Sequence, residues 1–174
     1  EHFFIQNGFH KAGKWLNPVN ILEVGFGSGL NALLTFRTNQ DEKRKVNYIA
    51  IEPHPLTKNE IDNLNYPENI SIENARSVYS SLHKNSDTPF FIGERFIILP
   101  LKEKIQDVTL KKESINVIYF DAFSPSVQPE IWEEAIFEKL YDALEWQGIL
   151  VTYSVSGAVK RALTEAGFTL EHPE

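Results

Sequence analysis

Three glycines at alternate positions, Gly25, Gly27 and Gly29, follow a carboxylate, Glu23, in the run Ile21-Leu22-Glu23-Val24-Gly25-Phe26-Gly27-Ser28-Gly29-Leu30-Asn31. The apolar residues ahead of Gly25 suit a buried strand and those after Gly29 open an amphipathic helix, so the glycines make the turn between them. Such a turn lets backbone approach a nucleotide-like ligand with no Cβ in the way, and the new helix presents N–H groups that lack partners within it. A dinucleotide-binding turn reads G-x-G-x-x-G and would place glycine at position 30, where this chain has Leu30. The pattern is instead E-x-G-x-G-x-G, and Phe26 and Asn31 belong to the same ligand-binding stretch.

Further polar groups fall at strand ends, where ligands of open α/β sheets sit. Glu52 closes the apolar run Val46–Ile51 and can accept hydrogen bonds from both hydroxyls of a ribose. Glu23 either meets the ligand's amino acid end through water or bonds backbone N–H groups of the turn. Asp121 ends Ile115–Phe120 and leads into Ala122-Phe123-Ser124-Pro125, a strand-tip acid followed by an aromatic and a proline-stiffened loop. Tyr153 and Ser154 bring hydroxyls to the end of a later strand, and Lys160 and Arg161 either meet phosphate there or are only solvated. Leu99-Pro100-Leu101-Lys102 brings apolar side chains such as Leu101 to the end of another strand, where they could sandwich a ligand's ring. The five histidines show no metal-ligand spacing, and with no cysteine there is neither a thiolate site nor a thiol nucleophile, so no metal is expected.

These residues need a frame. Strands are predicted at Ile21–Val24, Val46–Glu52, Arg95–Leu99, Ile115–Asp121 and Gly148–Tyr153, with a short one at Phe168–Leu170. Helices are predicted from Ser28 to about Asn39, striped by Leu30, Leu33, Leu34 and Arg37, and across Leu56–Leu82 with a break at Pro67. A long helix follows Pro129, with Trp132, Ile136 and Leu140 in one row and Ala135 beside it. Another is striped by Val155, Val159, Ala162, Leu163 and Ala166, with Gly167 as its C-terminal cap. Asn85–Gly93 reads as loop. A short N-terminal helix packs Phe3, Phe4, Ile5, Phe9 and Trp15 beside the sheet. The alternation predicts an α/β fold, an open and mostly parallel sheet with helices on both faces.

The 174 residues suit one domain, a helical segment over about 1–18 and a core over about 19–172, and 42% hydrophobic residues can fill it. There is no apolar run near the roughly 20 residues of a membrane span, and the start lacks a signal-like pattern, so a cytoplasmic protein without membrane contact is expected. The absence of methionine implies that residues of the natural sequence are missing from the chain. A net charge of −7 argues against a large nucleic-acid footprint, though not against a local basic patch.

The E-x-G-x-G-x-G run resembles the first motif of Rossmann-like class I S-adenosyl-L-methionine (SAM)-dependent methyltransferases. The wider set is more specific. Glu23–Asn31, Tyr119–Pro125 with Pro129-Glu130-Ile131-Trp132, and Thr152-Tyr153-Ser154 with Gly157, Lys160-Arg161 and Ala166-Gly167-Phe168 together resemble the methyltransferase domain of the MnmC family. That resemblance covers Asn20 to Phe168. It implies SAM as cofactor and tRNA as partner, with 5-aminomethyl(-2-thio)uridine at the wobble position converted to 5-methylaminomethyl(-2-thio)uridine. It also implies that Gly25, Gly27, Gly29 and Glu52 bind SAM while Asp121 and Phe123 face the amine; by their position Ser124 and Pro125 of the same loop are candidate neighbours of the acceptor, and Tyr153 and Ser154 either line the pocket with hydroxyls or are a plain strand end. Many relatives fuse this domain to a flavin-dependent oxidase, to which nothing here corresponds. Relatives also continue into a glycine- and basic-rich tail where this chain ends at His172-Pro173-Glu174. Two other readings remain open: a methyl- or aminopropyltransferase for a small free amine, and a non-catalytic SAM- or nucleotide-binding module.

Overall fold

The computed structural model describes residues 2–154 and 156–171. Their strands are β1 (Val19–Val24), β2 (Val46–Ile51), β3 (Phe90–Ile92), β4 (Phe96–Leu101), β5 (Ile115–Phe120) and β6 (Leu144–Thr152). The helices are α1 (Leu30–Glu42), α2 (Lys58–Asn63), α3 (Ala75–Leu82), α4 (Glu134–Ala143) and α5 (Gly157–Glu165), with a wide helical turn at Ile5–Phe9. The described residues form one sheet in the order β3-β4-β2-β1-β5-β6, parallel throughout except at the antiparallel edge strand β3. Open, mostly parallel and covered on both faces, it is the architecture expected.

Alternation along the central strands divides the interior in two. Ile21, Tyr48, Val117 and Tyr119 face one core with Phe4, Phe9, Leu33, Phe36 and Tyr79. Leu22, Ile51, Ile118 and Phe120 face the other with Trp132, Ile136, Phe137, Leu140, Val159 and Leu163. Thus α1 and α3 cover one side while α4 and α5 cover the other.

Several local expectations are corrected. Asn85–Gly93 contains β3, too short for alternation to mark it. The helix after Pro129 is divided: a 3-10 turn at Pro129–Ile131 precedes α4, so Trp132 lies before the helix and Ala135 is exposed. Phe168–Leu170 pairs with no strand among the described residues, whereas Gly167 does cap α5, at φ +104°. β6 begins earlier, at Leu144, and carries an irregularity in its pairing with β5. Trp15 is 80% exposed instead of packing beside the sheet. The sheet side of α1 keeps the expected Leu33 but is otherwise carried by Asn31, Ala32, Thr35, Phe36 and Asn39, with Leu34 only half-buried and Arg37 exposed. Val155, placed in the stripe of the last helix, lies outside the described residues, as do His172, Pro173 and Glu174.

Candidate active site

All three glycines of the turn are left-handed, with φ of +87° at Gly25, +49° at Gly27 and +70° at Gly29. They serve different purposes. A Cβ on Gly25 would stand 2.5 Å from the carbonyl oxygen of Asp121, so the tips of β1 and β5 approach closely only because Gly25 has none. Around Gly27 a Cβ would meet nothing within 4 Å. That open side is room for a ligand to lie against bare backbone.

The N–H groups of the turn itself are mostly used within the protein. Gly25 and Phe26 donate to Ile51 O, Gly29 donates to Phe26 O, and Gly27 donates to Glu52 Oε2 at 2.9 Å. The other Glu52 oxygen accepts from His54 N at 2.9 Å. Glu52 therefore stands half-buried at the tip of β2, locked by two backbone donors, with lone pairs remaining for ribose hydroxyls. Tyr79 Oη and His83 Nε2, one helical turn apart at the end of α3, both reach Ser28 O, at 2.7 and 3.1 Å. Sequence reasoning finds no metal-ligand spacing among the histidines and misses this pair, whose one signal is its i, i+4 spacing. A cleft beside the turn is lined by Phe26, Glu52, His83 and Leu101 among others. The fit to an adenosine-bearing cofactor is good: an open glycine backbone, a fixed strand-end carboxylate and apolar walls.

Glu23 is placed otherwise than expected. It has no exposed surface, and its carboxylate reaches neither a ligand position nor the turn amides. One oxygen accepts from Asn31 Nδ2 at 2.8 Å and the other from Tyr48 Oη at 2.7 Å. Burial foremost pushes its pKa up to about 8; the two hydrogen bonds oppose that rise, and the charges of Asp121 and Glu52 reinforce it. Asn31, 3% exposed, also faces inward, and its Nδ2 donates a second bond to Asp121 Oδ2 at 2.9 Å.

Asp121 sits at the tip of β5, its residue open to solvent while its carboxylate leans on Asn31. Partial desolvation raises its pKa, against the Asn31 bond and the nearby His2. The loop beyond is fixed from below by Trp132 Nε1, which donates to Phe123 O at 2.8 Å. This leaves the Phe123 ring 73% exposed. Ser124 bonds the Ser126 hydroxyl at 2.8 Å, and Pro125 is half-buried. At the end of β6, Tyr153 is 55% exposed and stacks on Phe3, with ring centroids 4.5 Å apart, while Ser154 N donates to Thr152 Oγ1. The N-terminal segment thus joins the rim, which the sequence did not suggest. Among the described residues no group of His, Asp or Glu could hold a metal ion, and no helix is long and apolar enough to cross a membrane.

A family model described as S-adenosyl-L-methionine-dependent methyltransferase matches residues 69–174. The chain is 31% identical over 161 residues to the tRNA 5-methylaminomethyl-2-thiouridine biosynthesis bifunctional protein MnmC of Leptospira borgpetersenii, covering 89% of this chain and 25% of that protein. It is 26% identical over 182 residues to the protein of the same name from Stutzerimonas stutzeri, covering 98% and 28%. The chain thus spans about a quarter of the length of these relatives. Among solved structures, MnmC2 from Aquifex aeolicus superposes with a TM-score of 0.75 at 26% identity, over 96% of this chain and 53% of that one. An S-adenosylmethionine-dependent methyltransferase from Mesorhizobium loti, at 11% identity and a TM-score of 0.52 over 94% and 80%, shares the fold.

Proposed function

The chain belongs to the S-adenosyl-L-methionine-dependent methyltransferases, and we propose that it methylates the primary amine of 5-aminomethyl(-2-thio)uridine at the wobble position of tRNA. The names of the MnmC relatives and the Aquifex aeolicus superposition support this substrate. The observation that carries the reading is the meeting of two halves: the Asp121 strand tip lies against Gly25 of the glycine turn, and Asn31, opening the helix after that turn, bonds the Asp121 carboxylate. Residues 1–174 act as one methyltransferase unit in the cytoplasm. A flavin-dependent oxidase half, fused or separate, exposes the amine beforehand.

The cofactor supplies an electrophilic methyl carbon on a sulfonium, which calls for neither a metal nor a covalent enzyme intermediate. Gly27 would admit it against bare backbone in a turn whose shape Gly25 and Gly29 permit, Glu52 would take the ribose, and Phe26 and Leu101 would flank the adenine. Asn31 and Glu23 act from behind. Holding the reacting atoms in line supplies on the order of 7–11 kcal/mol. A primary alkylamine is protonated at neutral pH, with a pKa of roughly 10. Asp121 accepts hydrogen bonds from it, aims the lone pair and passes the proton to water, and its raised pKa makes it a better acceptor for that step. The exposed faces of Phe123 and Tyr153 give an unstacked base a surface to lie on, beside Ser124, Pro125 and Ser154.

The test uses labelled SAM and tRNA from a strain lacking the final wobble methylation, followed by digestion to nucleosides. Label should appear in 5-methylaminomethyl(-2-thio)uridine. Label in another nucleoside, or only in a small free amine, overturns the proposal. Asp121→Asn should lower turnover by about 100-fold or more while SAM affinity stays within about threefold. Unchanged turnover removes Asp121 from the mechanism.

A further inference from the structure

We propose that Asn31 is a positioning residue of this site: its Nδ2, bonded at once to the buried Glu23 and to Asp121, fixes the direction in which Asp121 faces the acceptor. The inference rests on the proposed reading of Asp121 as the amine's partner.

An amide nitrogen carries two hydrogens, and both are spent here, on Glu23 Oε1 at 2.8 Å and Asp121 Oδ2 at 2.9 Å. The orientation is forced, because the reversed amide would set its oxygen against two carboxyl groups. Nor can Glu23 yield. Its second oxygen holds the Tyr48 hydroxyl at 2.7 Å, and both residues are buried. Asn31 is further fixed through its backbone, whose carbonyl accepts the Thr35 hydroxyl at 2.7 Å. Its own Oδ1 is buried and finds no partner among the described residues. An unmade bond at a buried amide is destabilising, so the benefit of Asn31 lies in what its nitrogen does. Among the described residues no other hydrogen bond reaches the Asp121 carboxylate, so without Asn31 none would fix its direction. Asn31 is also the second residue of α1, directly after Gly29 and Leu30. Settling the cofactor turn therefore settles the acid on the acceptor side.

The test is a cycle of Asn31→Ala, Asp121→Asn and the double variant. Methyl transfer from labelled SAM to the undermethylated tRNA is resolved into kcat and KM, with SAM affinity measured by calorimetry. Asn31→Ala should lower kcat on the order of 100-fold, the scale of a misplaced reacting group, with SAM affinity within about threefold of the parent. In the Asp121→Asn background the same change should cost less than about twofold, because the group it positions is gone. A merely structural Asn31 lowers activity equally in both backgrounds, and that result, or full activity of Asn31→Ala, overturns the inference. Should Asn31→Ala fail to fold, Asn31→Ser in the same cycle gives the answer. If Asp121→Asn alone leaves turnover intact, the reading of Asp121 fails too; if it abolishes turnover while the two costs multiply, only the positioning role does.

Discussion

At the scale of single residues the site depends on a carboxyl group kept away from water. Glu23 has an ordinary pKa of 4.5 once the chain unfolds and about 8 when folded. The folded state therefore holds the proton more tightly, and the stability it gains is fully present below pH 4.5 and is lost as pH rises through about 8. Glu23→Gln, which resembles the protonated form, should flatten this decline, so its melting temperature should gain on the parent's between about pH 5 and about pH 9. An equal gap at both ends would mean that Glu23 is ionised throughout. Gly25→Ala is the harsher change, since its Cβ would enter the Asp121 carbonyl at a left-handed φ. We expect it to weaken SAM binding by more than about tenfold and to destabilise the fold by 1–3 kcal/mol, roughly the range for backbone strain, in calorimetry and thermal melts. The sequence made the glycines, Glu52 and Asp121 legible because strand ends and turns have local signatures. The partners of Glu23 were not legible. Tyr48 and Asn31 reach it across 25 and 8 positions, and no period in the chain marks such a pair.

Elements with a long apolar period were readable; α1 was readable as a helix, but its buried side, which is partly polar, was not. The sheet-facing side of α1 includes Asn31, Thr35 and Asn39, which bond to groups outside the helix: Asn31 Nδ2 to two carboxyl groups, Thr35 to the Tyr119 hydroxyl and Asn39 to the Arg44 backbone. Read for hydrophobicity alone, the stripe rotates toward Leu34 and Arg37. Strand β3 escaped because three residues cannot alternate visibly, and it owes its place to pairing with β4. Helix α3 is the element whose role was missed. Its last turn sends Tyr79 and His83 to the same carbonyl, that of Ser28, and so holds the far side of the glycine turn. Tyr79→Phe removes one of the two bonds, worth about 1 kcal/mol. SAM affinity should fall by about fivefold with little change in kcat, because the acceptor side is untouched. If kcat fell instead, α3 would act on more than the turn.

At the scale of the whole molecule, the sheet places the two halves of the site over different cores. The cofactor cleft is built from the tips of β1, β2 and β4 with α3, on the side of Phe36 and Tyr79. The loop after β5, proposed to face the acceptor, is held from the other side, by Trp132 over Phe120 and Phe137. The N-terminal segment closes the rim: Phe4 is wholly buried, packs edge-on against Tyr153 at 4.9 Å and lies 5.4 Å from Tyr119. Over this frame the charge is −7, so a polyanion is repelled at long range, and under the proposed function tRNA contact would depend on a few cations near the site. Counterion release then sets the behaviour. For a handful of phosphate contacts, with a slope of about −0.7 to −0.9 per contact, tRNA affinity should fall by about tenfold or more between about 50 and 200 mM salt. SAM affinity, set by short-range contacts in the cleft, should change by less than about twofold over the same range. Parallel titrations of tRNA by filter binding and SAM by calorimetry would show this divergence. tRNA binding indifferent to salt would mean that the acceptor is held by its base alone, on Phe123 and Tyr153, with no phosphate engaged.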